Sequence, residues 1–158
     1  MEGSRINFQD DDWSGLEPVG LREALEEEGL SLREDAAPYG EKRVFDLEER
    51  TTLFGVQAVK FSKRIPLSPT NNRLIDQLVG SATSVGANYM EASERVSQKD
   101  FVNTISRCVK EAKEARFFLR MIVASEPSLA GEARILYREA CELLLILAKI
   151  RRVSKERV

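Results

Sequence analysis

Residues 78–92 read LVGSATSVGANYMEA, and from Gly80 to Ala87 almost every side chain is small although both flanks carry helical spacing. Glycine costs about 1 kcal/mol relative to alanine inside a helix, so a weak centre needs a compensating reason. Three reasons are chemically distinct: a loop that cradles phosphate, a turn that presents a nucleophile, or a helix waist that lets a neighbour come close. A phosphate loop of the GxxxxGK[ST] kind needs four residues between its glycines and a lysine after the second. Here five residues separate Gly80 from Gly86, and Ala87-Asn88 follow. No GxGxxG is present and no strand precedes the stretch, which removes the dinucleotide fingerprint. A GxSxG elbow would need glycine where the chain has Ala82, and a histidine partner; the chain contains no histidine. What does match is small-xxx-small spacing in the pairs Gly80/Ser84, Ala82/Gly86 and Thr83/Ala87, which lie on helix faces that permit close backbone approach. The stretch reads as a helix waist, with Gly80, Ala82, Ser84 and Gly86 as candidate packing positions.

Working outward, the body of the chain resolves into four helical patterns. The first runs from about Asp46 to Ser62, with Leu47, Phe54, Ala58, Phe61 and Ile65 on one stripe. The segment RIPLSPTNN ends it, because two prolines do not both sit in a helix interior. The second runs from about Asn71 to Arg95 on Leu74, Leu78, Ala82, Val85, Tyr89 and Ala92, stepping by three or four. SQKD follows, with Ser97 as N-cap and Asp100 three residues on, a short-armed capping box. The third helix carries Phe101, Ile105, Cys108, Ala112, Ala115, Leu119 and Ile122 in strict 4-3 alternation. SEPS stops it, and Pro127 suits the first turn of the next helix. The fourth repeats the alternation on Leu129, Ala133, Leu136, Ala140, Leu143, Leu147 and Ile150. Such seams belong to nearly parallel helix packing, and short connections make successive helices antiparallel neighbours. The predicted fold is all-α: an up-down-up-down antiparallel four-helix bundle over residues 44–158.

The last two helices are apolar over more than one stripe. The fourth adds Tyr137, Cys141, Leu144 and Ala148, widened by Leu145 and Ile146; the third adds Val102, Val109, Phe117 and Phe118. Helices of this kind bury two faces, and in a bundle this small the extra face is expected to meet another subunit. A homo-oligomer is predicted, with Tyr137, Cys141 and Leu144 as candidate contact residues.

Hydrophobic content of 42% with 32% charged residues fits a helix-rich globular chain. No apolar run approaches the roughly 20 residues that span a bilayer, and the start is acidic rather than basic-then-apolar, so a cytoplasmic protein with no membrane partner is expected. The formal charge of −2 hides a division: residues 1–43 hold 12 acids and 5 bases, and the remainder 14 acids and 19 bases. A mildly basic body thus follows an acidic extension. That extension contains QDDDW, Pro18, Pro38 and five of the nine glycines, a composition of poor order. One short helix is readable in GLREALEEEGLSLRE through Leu21, Leu25 and Leu32, with Gly29 interrupting it. Such a piece serves either as a docking peptide or as a solubilising tail.

Catalytic and metal chemistry find little to work with. Without histidine the commonest general base and metal ligand are both missing. Cys108 and Cys141 lie on helical seams, where they act as small apolar residues. The carboxylate pairs Glu91/Glu94 and Glu111/Glu114 sit beside Arg95, Lys110 and Lys113, as surface ion pairs do. No enzyme activity, cofactor, metal site or small-molecule substrate is predicted. What remains is cationic: Arg107, Lys110, Lys113, Arg116 and Arg120 form a drifting ridge along the third helix, and Lys149, Arg151, Arg152, Lys155 and Arg157 crowd the C-terminus. Repeated around an oligomer, such a ridge can track a phosphate backbone; cations at a helix C-terminus also simply favour the helix dipole.

Four pieces together resemble one family: FDLEERTTLF (45–54), NNRLIDQLVGSATSVGANYMEA (71–92), SQKDF (97–101) and CVKEAKEARFFLRMI (108–122). They are similar to the four-helix bundle proteins first noticed as products of intervening sequences in bacterial 23S ribosomal RNA genes. The resemblance covers residues 44–152. It departs at RFFL, where an aromatic such as tryptophan is expected before the leucine. It implies a homopentamer without established enzymatic activity, and relatives that act as accessory proteins of diversity-generating retroelements, where a basic barrel binds a reverse transcriptase and nucleic acid. The expected function is therefore a non-enzymatic oligomer binding RNA or a ribonucleoprotein partner. The alternative is a protein-interaction scaffold that works through the acidic extension.

Overall fold

The computed structural model describes Trp13 and residues 47–157; the predicted short helix of the extension, and residues 44–46 at the start of the bundle, lie outside the described residues. Four long helices follow one another: α1 Leu47–Ser62, α2 Pro69–Ser93, α3 Gln98–Ser125 and α4 Ala130–Lys155, the last entered through a 3-10 turn at Pro127–Leu129. The expected Ser97 cap is in place, and Ser68, which the sequence reading did not single out, caps α2 so that it starts at Pro69, two residues before the expected Asn71. Ser68 Oγ accepts from the Asn71 N–H, with Pro69 at the first helical position, and Ser97 Oγ accepts from the Asp100 N–H. Each satisfies one of the amide donors that a helix start leaves without a partner. Pro127 sits in the 3-10 turn rather than in α4 itself, which opens without a side-chain cap.

The helices form a ring in which α1 packs on α2, α2 on α3, α3 on α4, and α4 closes back on α1 through the thinnest of these four contacts. Side-chain ties give the directions. Asn71 at the start of α2 bonds Glu126 just beyond the end of α3, and Gln98 at the start of α3 bonds the Ser154 carbonyl near the end of α4. Arg50 early in α1 pairs with Glu139 and Glu142 in α4, while Arg64 just after α1 pairs with Glu132 near the start of α4. Every neighbouring pair is antiparallel, as the predicted bundle requires.

The four stripes meet in one core. Phe54, Ala58, Phe61, Leu78, Ala82, Val85, Ile105, Ala112, Leu119, Ala133, Leu143 and Leu147 are buried, and Leu74, Tyr89, Phe101, Leu129 and Ile150 pack partly buried at its margins. The second stripes are also largely absorbed inside the chain. Tyr137, Cys141 and Leu144 are buried here, as are Val102 and Val109. Each of α3 and α4 has a helix on two sides, so a second apolar face is used without a second subunit. Trp13 adds to this covering: its ring lies 4.5 Å from that of Tyr137, tilted by 53°.

The waist is a crossing of α1 and α2. A Cβ built on Gly86 would meet the Thr51 carbonyl oxygen at 3.3 Å, and one on Gly55 would meet the Thr83 Cα at 3.4 Å. Small residues thus face backbone on both helices, and Gly55 is the half of the crossing that the small-residue run of α2 leaves out. Ala82 is buried beside it, Ser84 is half-buried, and Gly80 is exposed with nothing within 4 Å of an added Cβ. Two of the four candidate packing positions, Ala82 and Gly86, therefore form the contact.

Candidate nucleic-acid interface

An α-helix turns 100° per residue, so steps of three and four keep side chains on one face. Lys110, Lys113, Phe117 and Arg120 follow such steps on α3, and all four are exposed. Phe117 is 53% exposed, and its ring meets Phe118 edge-on at 5.2 Å. An aromatic ring thus stands in water among three cations. Lys110 makes an i,i+4 pair with Glu114 at 3.6 Å; among the described residues Lys113 and Arg120 carry no ion pair.

The other two predicted members leave this line. Arg107 is exposed, but its guanidinium reaches back to Glu91 at the end of α2 and to the Thr104 hydroxyl. Arg116 turns toward α4, where its guanidinium lies 5.5 Å from the centre of the Tyr137 ring and 3.6 Å from Cys141 Sγ. At the C-terminus Lys149, Lys155 and Arg157 are exposed, and Arg151 and Arg152 half-buried. Gln98 faces Ser154 and Arg116 faces Tyr137, so the antiparallel register sets Arg151 and Arg152 beside the first turns of α3. At 1.5 Å per residue they lie on the order of 20 Å along the axis from Arg116.

Glu111 lies next to the ridge. Burial, then the neighbouring Glu114, raise its carboxyl above the usual range, while Lys110 opposes them. Protonation of Glu111 ahead of an ordinary carboxylate makes this face more cationic as pH falls.

Three contacts escaped sequence reasoning. Arg50 joins α1 to α4 by a two-pronged bond to Glu139 and a further bond to Glu142; the Glu139 hydrogen bond, against the opposing effect of burial, holds its pKa above the ordinary value. Asn71 is the buried hub of a polar knot at one end of the bundle, whose partners Pro66, Ser125 and Glu126 lie nearer the surface. Trp13 packs on Tyr137, with the Arg134 guanidinium 5.8 Å from its ring. Phe117 was legible as part of a second stripe, and its i+4 spacing from Lys113 was the signal that it shares the cationic face.

Both thiols are buried. Cys108 is fully buried, and burial pushes its pKa up to about 12. Iodoacetamide at pH 8 should leave Cys108 unlabelled in the folded protein and modify it only when denaturant opens the core; rapid labelling of the native chain would contradict this burial. The same shift favours the fold wherever the thiol is neutral, so its contribution is complete below the unfolded value near 9.0 and is lost as pH rises toward 12. Among the described residues no group of three acidic, cysteine or histidine side chains is placed to hold a metal ion, and no helix is long and apolar enough to cross a membrane.

Comparison with known proteins agrees with this architecture. Residues 45–149 match the family model described as 23S rRNA-intervening sequence protein. Among solved structures the chain is similar to a protein of unknown function from the S23 ribosomal protein family of Bacteroides thetaiotaomicron. The two are 25% identical with a TM-score of 0.58, over 66% of this chain and 96% of the other. No curated protein matches the chain. The family match spans all of α1, α2 and α3 and most of α4, including the waist, the Asn71 knot and the α3 ridge, and the chain therefore belongs to the 23S rRNA-intervening sequence protein family.

Proposed function

We propose that this protein is a non-enzymatic, oligomeric bundle that binds structured RNA along the exposed face of α3. The observation that carries this reading is Phe117 standing in solvent among Lys110, Lys113 and Arg120. Cations on one face neutralise phosphates and release their counterions, and an exposed ring offers an unpaired base a stacking surface. The lack of histidine and the burial of both cysteines support a role without catalysis. Assembly from several copies, five by the family resemblance, would repeat the face; exposed Leu53 and Ile135, which flank the thin α1–α4 seam, supply apolar surface for that assembly. Mass measurement in solution tests the number.

The RNA reading predicts its own salt dependence. Each phosphate contact adds about 0.7–0.9 to the steepness of log affinity against log salt. The double variant Lys113→Glu with Arg120→Glu should therefore reduce that slope by about 1.4–1.8 and weaken binding to every sequence alike. Phe117→Ala should weaken binding while leaving the slope in place. Binding that is absent at low salt, or indifferent to salt, overturns the reading.

A further inference from the structure

The outer face of the α1–α2 hairpin carries an open groove of about 540 Å3. Val56, Val59, Ala87 and Met90 wall it over a floor of Gly55 and Gly86, and Val56 and Met90 are 40% and 43% exposed. The hydroxyls of Thr51 and Thr52 donate to the Glu48 carbonyl, and that of Thr83 to the Val79 and Gly80 carbonyls. The lining hydroxyl donors are therefore satisfied before anything docks, and the groove suits an apolar ridge. Charge divides the same face by its two ends. Counting by threes and fours from the groove residues, Glu48 on α1 and Glu94 beyond α2 lie at one end. Lys60 and Lys63 on α1 and Arg73 on α2 lie at the other, with Asp76 as the opposing acid. All six are exposed, and among the described residues none of them forms an ion pair. The spacing is symmetric. Halfway between Glu48 and Lys63 lie Gly55 and Val56; halfway between Arg73 and Glu94 lie Thr83 and Ser84. A Cβ on Gly55 would meet the Thr83 Cα at 3.4 Å, so the two midpoints sit at the same height.

We infer that this face is a two-fold docking surface for a second copy of the chain, additional to the α1–α4 seam and independent of RNA. A two-fold axis running across both helices at the height of Gly55 and Thr83 lays one hairpin antiparallel on another, α1 on α1 and α2 on α2. Glu48 then meets the partner's Lys63, Arg73 meets the partner's Glu94, and Val56 lies beside the axis against the partner's Val56. Gly80, which has nothing within 4 Å of an added Cβ, comes opposite the partner's Ala87, two small residues that let backbones approach. A pairing with the helices parallel would set like-charged ends together, so charge selects the antiparallel one. From Glu48 to Lys63 the face runs about 22 Å, and two helices side by side are about 20 Å wide. That area is roughly half of what each partner gives to a standard interface. Pairing is therefore concentration-dependent, and it doubles whatever number of copies the seam brings together.

Sedimentation equilibrium of the full chain from about 1 to 300 µM tests the pairing. The mass should double across that range, and added salt should move the doubling to higher concentration. Val56→Glu, at an exposed site beside the axis, should hold the lower mass throughout. Lys63→Glu should weaken pairing about tenfold, because two symmetric ion pairs become two repulsions. Adding Glu48→Lys to that variant restores opposite charges across the axis and should return pairing to within about threefold of the unaltered protein. Circular dichroism confirms that each variant is folded. If the unaltered protein and Val56→Glu have the same mass at every concentration, this face does not pair and the inference fails, with the seam and RNA binding at the ridge left standing. If Lys63→Glu weakens pairing and the added Glu48→Lys does not restore it, or if Lys63→Glu has no effect, another arrangement covers the face and the two-fold contact also fails.

Discussion

Gly86→Leu is expected to lower the unfolding free energy by about 3 kcal/mol, at the severe end for an overpacked contact. The reason is the identity of the neighbour. A Cβ at this position already meets the Thr51 carbonyl oxygen at 3.3 Å, and a backbone cannot swing aside as a side-chain tip can. The remaining leucine atoms would push α1 off α2 at the crossing, with Gly55 facing the Thr83 backbone losing its fit one turn away. A domain of this kind has a total stability of roughly 5–15 kcal/mol, so such a loss is readily seen in urea denaturation. Gly86→Ala is milder, because about 1 kcal/mol of gained helix propensity offsets the strain. Gly80→Ala is the control: nothing lies within 4 Å of an added Cβ, so the same replacement there should stabilise by up to about 1 kcal/mol. Equal responses at Gly80 and Gly86 would show that the waist is not a packed crossing.

Asn71→Leu carries the second large effect, an expected loss of about 2–3 kcal/mol. Asn71 is 1% exposed, and both amide protons and the amide oxygen are engaged. Nδ2 donates to the Pro66 carbonyl and to Glu126 Oε1, both at 2.8 Å, while Oδ1 accepts from the Ser125 hydroxyl at 2.6 Å. One side chain therefore joins the α1–α2 connection to the end of α3. Leucine has nearly the right volume and none of the donors, so it leaves a carbonyl, a carboxylate and a hydroxyl without their partner. Asn71→Asp separates the electrostatic part. It sets a second carboxylate against Glu126, so its folded-state pKa is raised; the fold should be weakest near neutral pH and recover as pH falls through that raised value, with recovery complete by about 4. A denaturation midpoint unchanged in both variants would show that the knot contributes nothing.

The fold was legible because its signal is periodic. The 4-3 alternation from Ile105 to Ile122 and from Ala133 to Leu147 marks residues that are buried, and Ser97 fixes where α3 begins. The second apolar stripe was legible too, but its occupant was not. Periodicity says that Tyr137 and Cys141 are covered; it does not distinguish a neighbouring helix, another copy or a tryptophan more than a hundred residues away. The cationic ridge was half legible for the same reason. Lys110, Lys113 and Arg120 point outward as spacing requires, whereas Arg116 sits at the edge of that arc and turns in toward Tyr137. Point contacts such as Arg50–Glu139 and Asn71–Glu126 join residues 89 and 55 positions apart and have no local signature at all.

The uneven closure of the helix ring has a meaning for how the chain is made. Synthesis delivers α1 and α2 together, and their crossing needs only a short loop, so this hairpin can form while the rest is still being translated. The partner on the other side of α1 is the last helix to emerge. Until α4 arrives, the flank of α1 bearing Arg50 and Leu53 stays uncovered, and the ring is completed through its thinnest seam, with Glu139 and Glu142 reaching Arg50. An unfinished chain with that flank open meets other unfinished chains on the same polysome, each offering an α4 of its own. The seam that closes one bundle is thus also the place where two nascent bundles can trade helices, because its ion-pair pattern is the same in every copy and only the tether favours a chain's own last helix.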